Sequence, residues 1–188
     1  MRASRLLLVL LAVLLAGCAT SIADQWARPG ATPVTRLVVL PFDNQTPAVR
    51  AGAAVADTLA SELLATGAIT VADPGEVADT MRRENLDPLE QARWPAPARL
   101  GRLFQASHVL QGAVTEYRFK PGLTETPVVG VTARVIDVAT GDVVWTATHA
   151  RSGSSWLRED GLARVVQEVT RAMAAHLTGS IGRASARR

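Results

Sequence analysis

The chain has 188 residues, 48% of them hydrophobic and 4% aromatic, with one cysteine and a formal charge of +3. That length suits a single domain of ordinary size, and one cysteine excludes an internal disulfide or a cluster of thiolate metal ligands. The positive charge is carried by the two ends, Arg2 and Arg5 at one and Arg183, Arg187 and Arg188 at the other, so the body between them is slightly acidic and gives no support to nucleic-acid binding.

Arg2 and Arg5 precede an unbroken apolar run from Leu6 to Ala16, the pattern of a secretory signal peptide over residues 1–17. The run falls well short of the roughly 20 residues that a helix needs to cross a bilayer. Leu15-Ala16-Gly17-Cys18 resembles the bacterial lipobox, which implies cleavage before Cys18 and a lipidated cysteine bearing diacylglycerol and an N-acyl chain. Several acyl chains hold a protein on a membrane far more firmly than one. Residue 19 is Ala rather than the Asp that signals inner-membrane retention, which points to the outer membrane, on its periplasmic face.

Residues 18–35 lack a hydrophobic period and carry Pro29, Gly30 and Pro33, so they read as lipidated N-terminus and tether. Residues 36–178 read as one domain. Arg36 to Phe42 is a nearly continuous apolar run, the pattern of a central strand covered on both faces. Thr46 and Pro47 supply a helix start, Val49, Ala53, Ala56, Ala60, Leu63 and Leu64 a helical stripe, and Gly67 a stop. Ala68 to Ala72 follows as a brief strand. Asp73-Pro74-Gly75-Glu76 forms a capping box and predicts a helix to about Asn85. Residues 86–98, with three prolines and Trp94, read as a long loop.

A short helix over about 99–106 leads into a strand over 108–119. Two further strands, 128–138 and 142–151, are joined by Ala139-Thr140-Gly141, a tight turn. A helix over about 156–177 carries Leu162, Val165, Val166, Val169, Met173 and Leu177 on one face, and residues 179–188 read as a disordered basic tail. The sum is an α/β two-layer sandwich with a mixed sheet, a C-terminal antiparallel meander and amphipathic helices.

The search for chemistry yields little. His108, His149 and His176 have no acidic or histidine partner at metal-ligand spacing, and there is no nucleophile elbow, phosphate loop or dinucleotide fingerprint. The expectation is no enzyme, no metal and no cofactor. Trp145 lies within a strand and reads as core. Trp156, after Gly153-Ser154-Ser155 and before Leu157 and Arg158, has two readings. It either enters a membrane interface together with Leu157 or packs back on the sheet as a helix staple.

The phrases LVVLPFDNQT, ASHVLQGAVTEYRF and VVGVTARVIDVATGDVVWTATHARSG, with the terminal amphipathic helix, resemble the curli-secretion lipoprotein superfamily. Within it they resemble the short PelC-type lipoproteins of Pel exopolysaccharide export. The resemblance implies a non-catalytic outer-membrane lipoprotein that self-associates into a ring on the periplasmic leaflet and assists export of a cationic polysaccharide toward a β-barrel porin. It assigns membrane contact to Trp156 and Leu157, and makes Asp43, Asp137 and Asp142, at strand ends, the candidates for steering the polymer. The chain lacks a long alternating segment that would build a barrel of its own. An alternative from the same superfold is a lipoprotein regulator of a cell-wall synthase, which needs a long tether to cross the peptidoglycan. A polysaccharide-cleaving enzyme stands third, since no carboxylate pair is evident.

Overall fold

The computed structural model describes residues 21–86, 96–122, 125–153 and 161–185. Among these are seven strands, β1 (Ser21–Ala27), β2 (Arg36–Val39), β3 (Asp43–Asn44), β4 (Thr70–Val71), β5 (His108–Lys120), β6 (Thr126–Asp137) and β7 (Val143–Ser152). The helices are α1 (Ala51–Thr66), α2 (Pro74–Arg83), α3 (Ala96–Phe104) and α4 (Leu162–Ser185). All seven strands form one sheet in the order β1-β7-β6-β5-β2-β4, with β3 continuing beside β5. β2 runs parallel to β4 and β5, whereas β5, β6, β7 and β1 are antiparallel. This is the expected α/β sandwich with a mixed sheet.

Burial explains the arrangement. One face of the sheet, with Leu37, Val39, Leu110, Val131, Val135 and Trp145, packs against Val55, Leu59 and Leu63 of α1 and Val165, Val169, Met173 and Leu177 of α4. Among the described residues the opposite face is covered only at the parallel end, where Val38, Leu40 and Val109 meet Val77 and Met81 of α2 and Leu100 and Phe104 of α3. The run from Leu37 to Leu40 is therefore buried on both sides, as its unbroken apolar sequence requires.

The caps follow the sequence in part. Asp73 accepts the Glu76 N–H at 2.9 Å and opens α2, and Gly67 closes α1 at φ +62°. Thr46 does not open α1. Its hydroxyl donates to Asn44 Oδ1 and accepts the Ala48 N–H, so Thr46 and Pro47 make a local turn and the helix begins at Ala51. Val49, expected on the buried stripe, is 92% exposed for that reason.

Two expected boundaries change. Residues 21–27, read as tether, form β1, which pairs with β7 along its whole length from Ser21 opposite Arg151 to Ala27 opposite Trp145. Only Gln25 and Ala27 of this edge strand are half-buried, too few to leave an apolar pattern. Residues 179–185, read as disordered tail, continue α4. Trp94, and most of the loop expected over 86–98, lie outside the described residues.

Candidate functional site: the uncovered half of the sheet

The antiparallel half presents one face that no helix covers among the described residues, and cross-strand pairing sets what that face displays. One row runs from Trp26 through Thr146 and Arg134 to Gln111. The next runs from Asp24 through Thr148 and Thr132 to Ala113, beside Asp43 of β3. Because side chains alternate across the sheet, the residues between these positions, Gln25, Trp145, Ala147 and Ala133, point the other way into the helical layer. Arg134 donates from both Nε and Nη2 to Gln111 Oε1 at 3.2 Å, which fixes the guanidinium over the middle strands. Against the edge of the α3 cover, Leu40, Pro41, Asp43, Gln111, Thr132, Arg134 and Thr148 line a groove of about 430 Å³. Its lining sets the hydroxyl, amide and charged groups of these side chains among apolar surface from Leu40, Pro41, Ala113 and Ala133. Asp43, Gln111, Thr132, Arg134 and Thr148 can hold a polar, extended ligand there by hydrogen bonds.

The predicted carboxylates part company here. Asp43 lines the groove, its Oδ2 accepting from Gln45 Nε2 at 3.0 Å. Asp137 is buried and accepts the N–H groups of Ala139 and Thr140 at 2.8 and 3.2 Å, so its carboxylate is consumed in shaping the β6–β7 turn. Asp142 pairs with Arg28 at 2.8 Å at the far end of the sheet. The structure does not bring the three together. Asp24 of β1 is an acidic group on the open face that sequence reasoning missed, because its segment gave no strand signal. Cys18, Trp156 and Leu157 lie outside the described residues.

A Ser-His-Asp grouping does occur, and its geometry is structural. His108 Nδ1 lies 2.9 Å from Ser107 Oγ, and its Nε2 lies 3.8 Å from Asp137 Oδ2. The ring is wholly buried, and Ser107 Oγ is engaged with the Thr35 and Arg36 backbone. A nucleophile needs a free hydroxyl and a base that substrate can reach; this hydroxyl is held by the backbone and the imidazole beside it is buried. Burial lowers the His108 pKa, opposed by the Asp137 charge. His149 is also lowered, first by burial and then by nearby His176. It contacts Gln25 of β1, while Trp145 Nε1 donates to His176 Nδ1 at 2.9 Å. These histidines fasten β1, β7 and α4 together. No group of three or more metal-binding side chains occurs among the described residues.

A family model for the GNA1162-like lipoproteins matches residues 26–185, from within β1 to the end of α4. The chain belongs to the GNA1162-like lipoprotein family. Among solved structures of similar architecture is the PelC dodecamer from Paraburkholderia phytofirmans, 29% identical, with a TM-score of 0.65 over 85% of this chain and 98% of that one. The GNA1162 lipoprotein from Neisseria meningitidis shares the fold at 24% identity, TM-score 0.59, over 75% of this chain and 99% of that one. No curated protein matches significantly in sequence. What the described residues offer is surface: a groove, an exposed edge strand and a sheet face that no described helix covers.

Proposed function

We propose that this protein is an outer-membrane lipoprotein, anchored through acylated Cys18, that assembles into a ring on the periplasmic leaflet and assists passage of a cationic exopolysaccharide toward a partner β-barrel porin. The observation that carries the reading is the likeness to the PelC dodecamer, which spans almost the whole of both folded domains. A head-to-tail ring requires each protomer to present two different surfaces, and a sheet open on one face with an exposed edge strand offers more than one. Of the carboxylates considered for steering, Asp43 keeps that role, because it lines the groove, whereas Asp137 is buried in the β6–β7 turn and the charge of Asp142 is paired with Arg28.

The membrane side of the reading has geometric support. Ser21 starts β1 opposite Arg151 near the end of β7, so the described residues nearest in sequence to Cys18 and to Trp156 lie at the same end of the sheet. In this reading Trp156 and Leu157 seat the ring in the leaflet. With β1 paired, only Ala19 and Thr20 separate Cys18 from the fold, a reach of about 10 Å. That is far too short for a regulator that works across the cell wall.

The test is the solution mass, by light scattering, of the domain from Ala19 onward, with and without mild detergent. The expected result is a discrete high-order assembly. A strict monomer in both conditions and on phospholipid vesicles would overturn the ring.

A further inference from the structure

Acylation of Cys18, as proposed for this chain, fixes which end of the domain meets the leaflet. Tyr117 pairs with Val129, Val129 with Arg151 and Arg151 with Ser21, so one level row crosses four strands and ends at the residue where the anchor leaves the sheet. Everything beyond that row lies on the anchor's side. β5 continues past it through Arg118, Phe119 and Lys120, reaching about 10 Å further at about 3.3 Å per residue, which equals the greatest span that three residues can bridge. The turn before α1 lies on this end too, since Asn44 pairs with Val114 and the Gln45 N–H donates to the Val114 carbonyl, after which the chain runs on to Val49 and Arg50.

This end carries apolar side chains that the fold leaves bare: Ile22 at 66%, Val49 at 92% and Phe119 at 43% exposure. Three exposed cations, Arg50, Arg118 and Lys120, stand among them. Among the described residues the acidic groups there are Glu116, ion-paired with Arg118 at 3.1 Å, Glu168, ion-paired with Arg151 at 2.6 Å, and exposed Glu125. An aromatic flanked by cations suits the level where hydrocarbon meets phosphate, and bare aliphatic side chains lose their hydration on entering it. The far end, where Leu64 closes α1 and Leu103 closes α3, lies roughly 40 Å away along the twelve-residue β6.

We infer, with Cys18 as the membrane anchor, that Ile22, Val49 and Phe119, together with Arg50, Arg118 and Lys120, form a membrane-contacting rim that holds the domain upright on the phospholipid leaflet, its strands steep to the surface. The Phe119 hairpin enters the headgroup layer and the far end points into the periplasm. The sheet edge and open face are then held clear of the lipid, free for neighbouring subunits and polymer.

Cys18 is the only cysteine, and acylation consumes its sulfur, so a second cysteine takes a spin label alone. The full-length acylated protein is prepared with Phe119→Cys, Val49→Cys, Trp26→Cys or Leu64→Cys and reconstituted in phosphatidylethanolamine and phosphatidylglycerol vesicles. Mass spectrometry first checks acylation, and flotation checks membrane attachment. Collision with oxygen against a water-soluble nickel chelate is then read at each label. The expected result is that labels at 119 and 49 favour oxygen severalfold over those at 26 and 64, which stay aqueous. Labels that are all aqueous on acylated, floating protein overturn the rim and leave the anchor standing. Immersion at 26 or 64 overturns it too, because the domain then lies flat or inverted. Absence of the acyl chains overturns the anchor reading, and the rim falls with it.

Discussion

The two halves of the sheet are built to different specifications. In the parallel half, β2 lies between β4 and β5 with helices on both faces, and Leu37, Val38, Val39 and Leu40 are all buried. In the antiparallel half, β7 alternates. Trp145, Ala147 and His149 enter the helical layer, whereas Thr146 and Thr148 face outward beside Thr132 and Arg134. A segment covered twice has no position to spare, and a segment covered once can lend every second residue to a task other than folding. The candidate groove lies where the second cover ends, so the polar side chains in its lining stand there without entering either core.

The largest effect tests the inward rank of the antiparallel half. Trp145 is 2% exposed, packs among Val135, Val144 and α4, and donates to His176. Trp145→Ala removes a large buried ring and leaves a cavity, so a loss of about 3–5 kcal/mol is expected in denaturant unfolding. A cost below about 1 kcal/mol would mean that α4 does not close this half of the core. Next comes the turn that joins β6 to β7. Asp137→Ala strips two backbone N–H groups of their acceptor, and a loss of about 1–3 kcal/mol is expected. If Asp137 were instead free to attract polymer, as its position at a strand end suggests, the same substitution would leave stability unchanged.

The two halves also differed in how plainly the sequence announced them. LVVLPF declared a doubly covered strand by having no polar residue at all. The meander declared itself by alternation and by Gly141, which takes φ +77° in the turn. Asp73 declared α2 by its capping box. What stayed hidden depended on partners distant in sequence. β1 is held by its ladder to β7, more than a hundred residues away, and its outward Ile22, Asp24 and Trp26 blur any period. The groove was hidden for the same reason, since Asp43, Gln111, Thr132 and Thr148 come from four strands and none has a local signature. Asp137 and Asp142 looked equivalent to Asp43 because sequence shows that a carboxylate ends a strand but not whether a turn or an arginine has claimed it.

A smaller effect concerns two buried histidines, His149 against β1 and His108 beside Ser107 and Asp137. Burial lowers the pKa of both His108 and His149, so the unfolded chain binds protons that the folded chain refuses. Stability is then complete above the ordinary histidine value of about 6.5 and declines as pH falls below it. The melting temperature is expected to drop between about pH 7.5 and about pH 5.5, the range in which an imidazole changes charge. His149→Gln should flatten part of that slope, and an unaltered slope would assign the whole dependence to His108.

The smallest effect on stability carries the most about function. Asp43 and Thr148 both line the groove, and neither contributes an apolar group to either core. Asp43→Asn and Thr148→Ala should each change unfolding free energy by no more than about 0.5 kcal/mol, as surface changes do. The two substitutions nevertheless separate two uses of the same face. Steering of a cationic polymer works through field and is screened by salt. Asp43→Asn should therefore weaken retention of a partly deacetylated amino-sugar polymer at low ionic strength, with the difference closing as salt is added, while Thr148→Ala leaves retention alone. If instead Thr148→Ala weakens retention at every salt concentration, the polymer is held by hydrogen bonds in the groove. If neither matters while the oligomer dissociates, the uncovered face belongs to the neighbouring subunit and the polymer passes elsewhere.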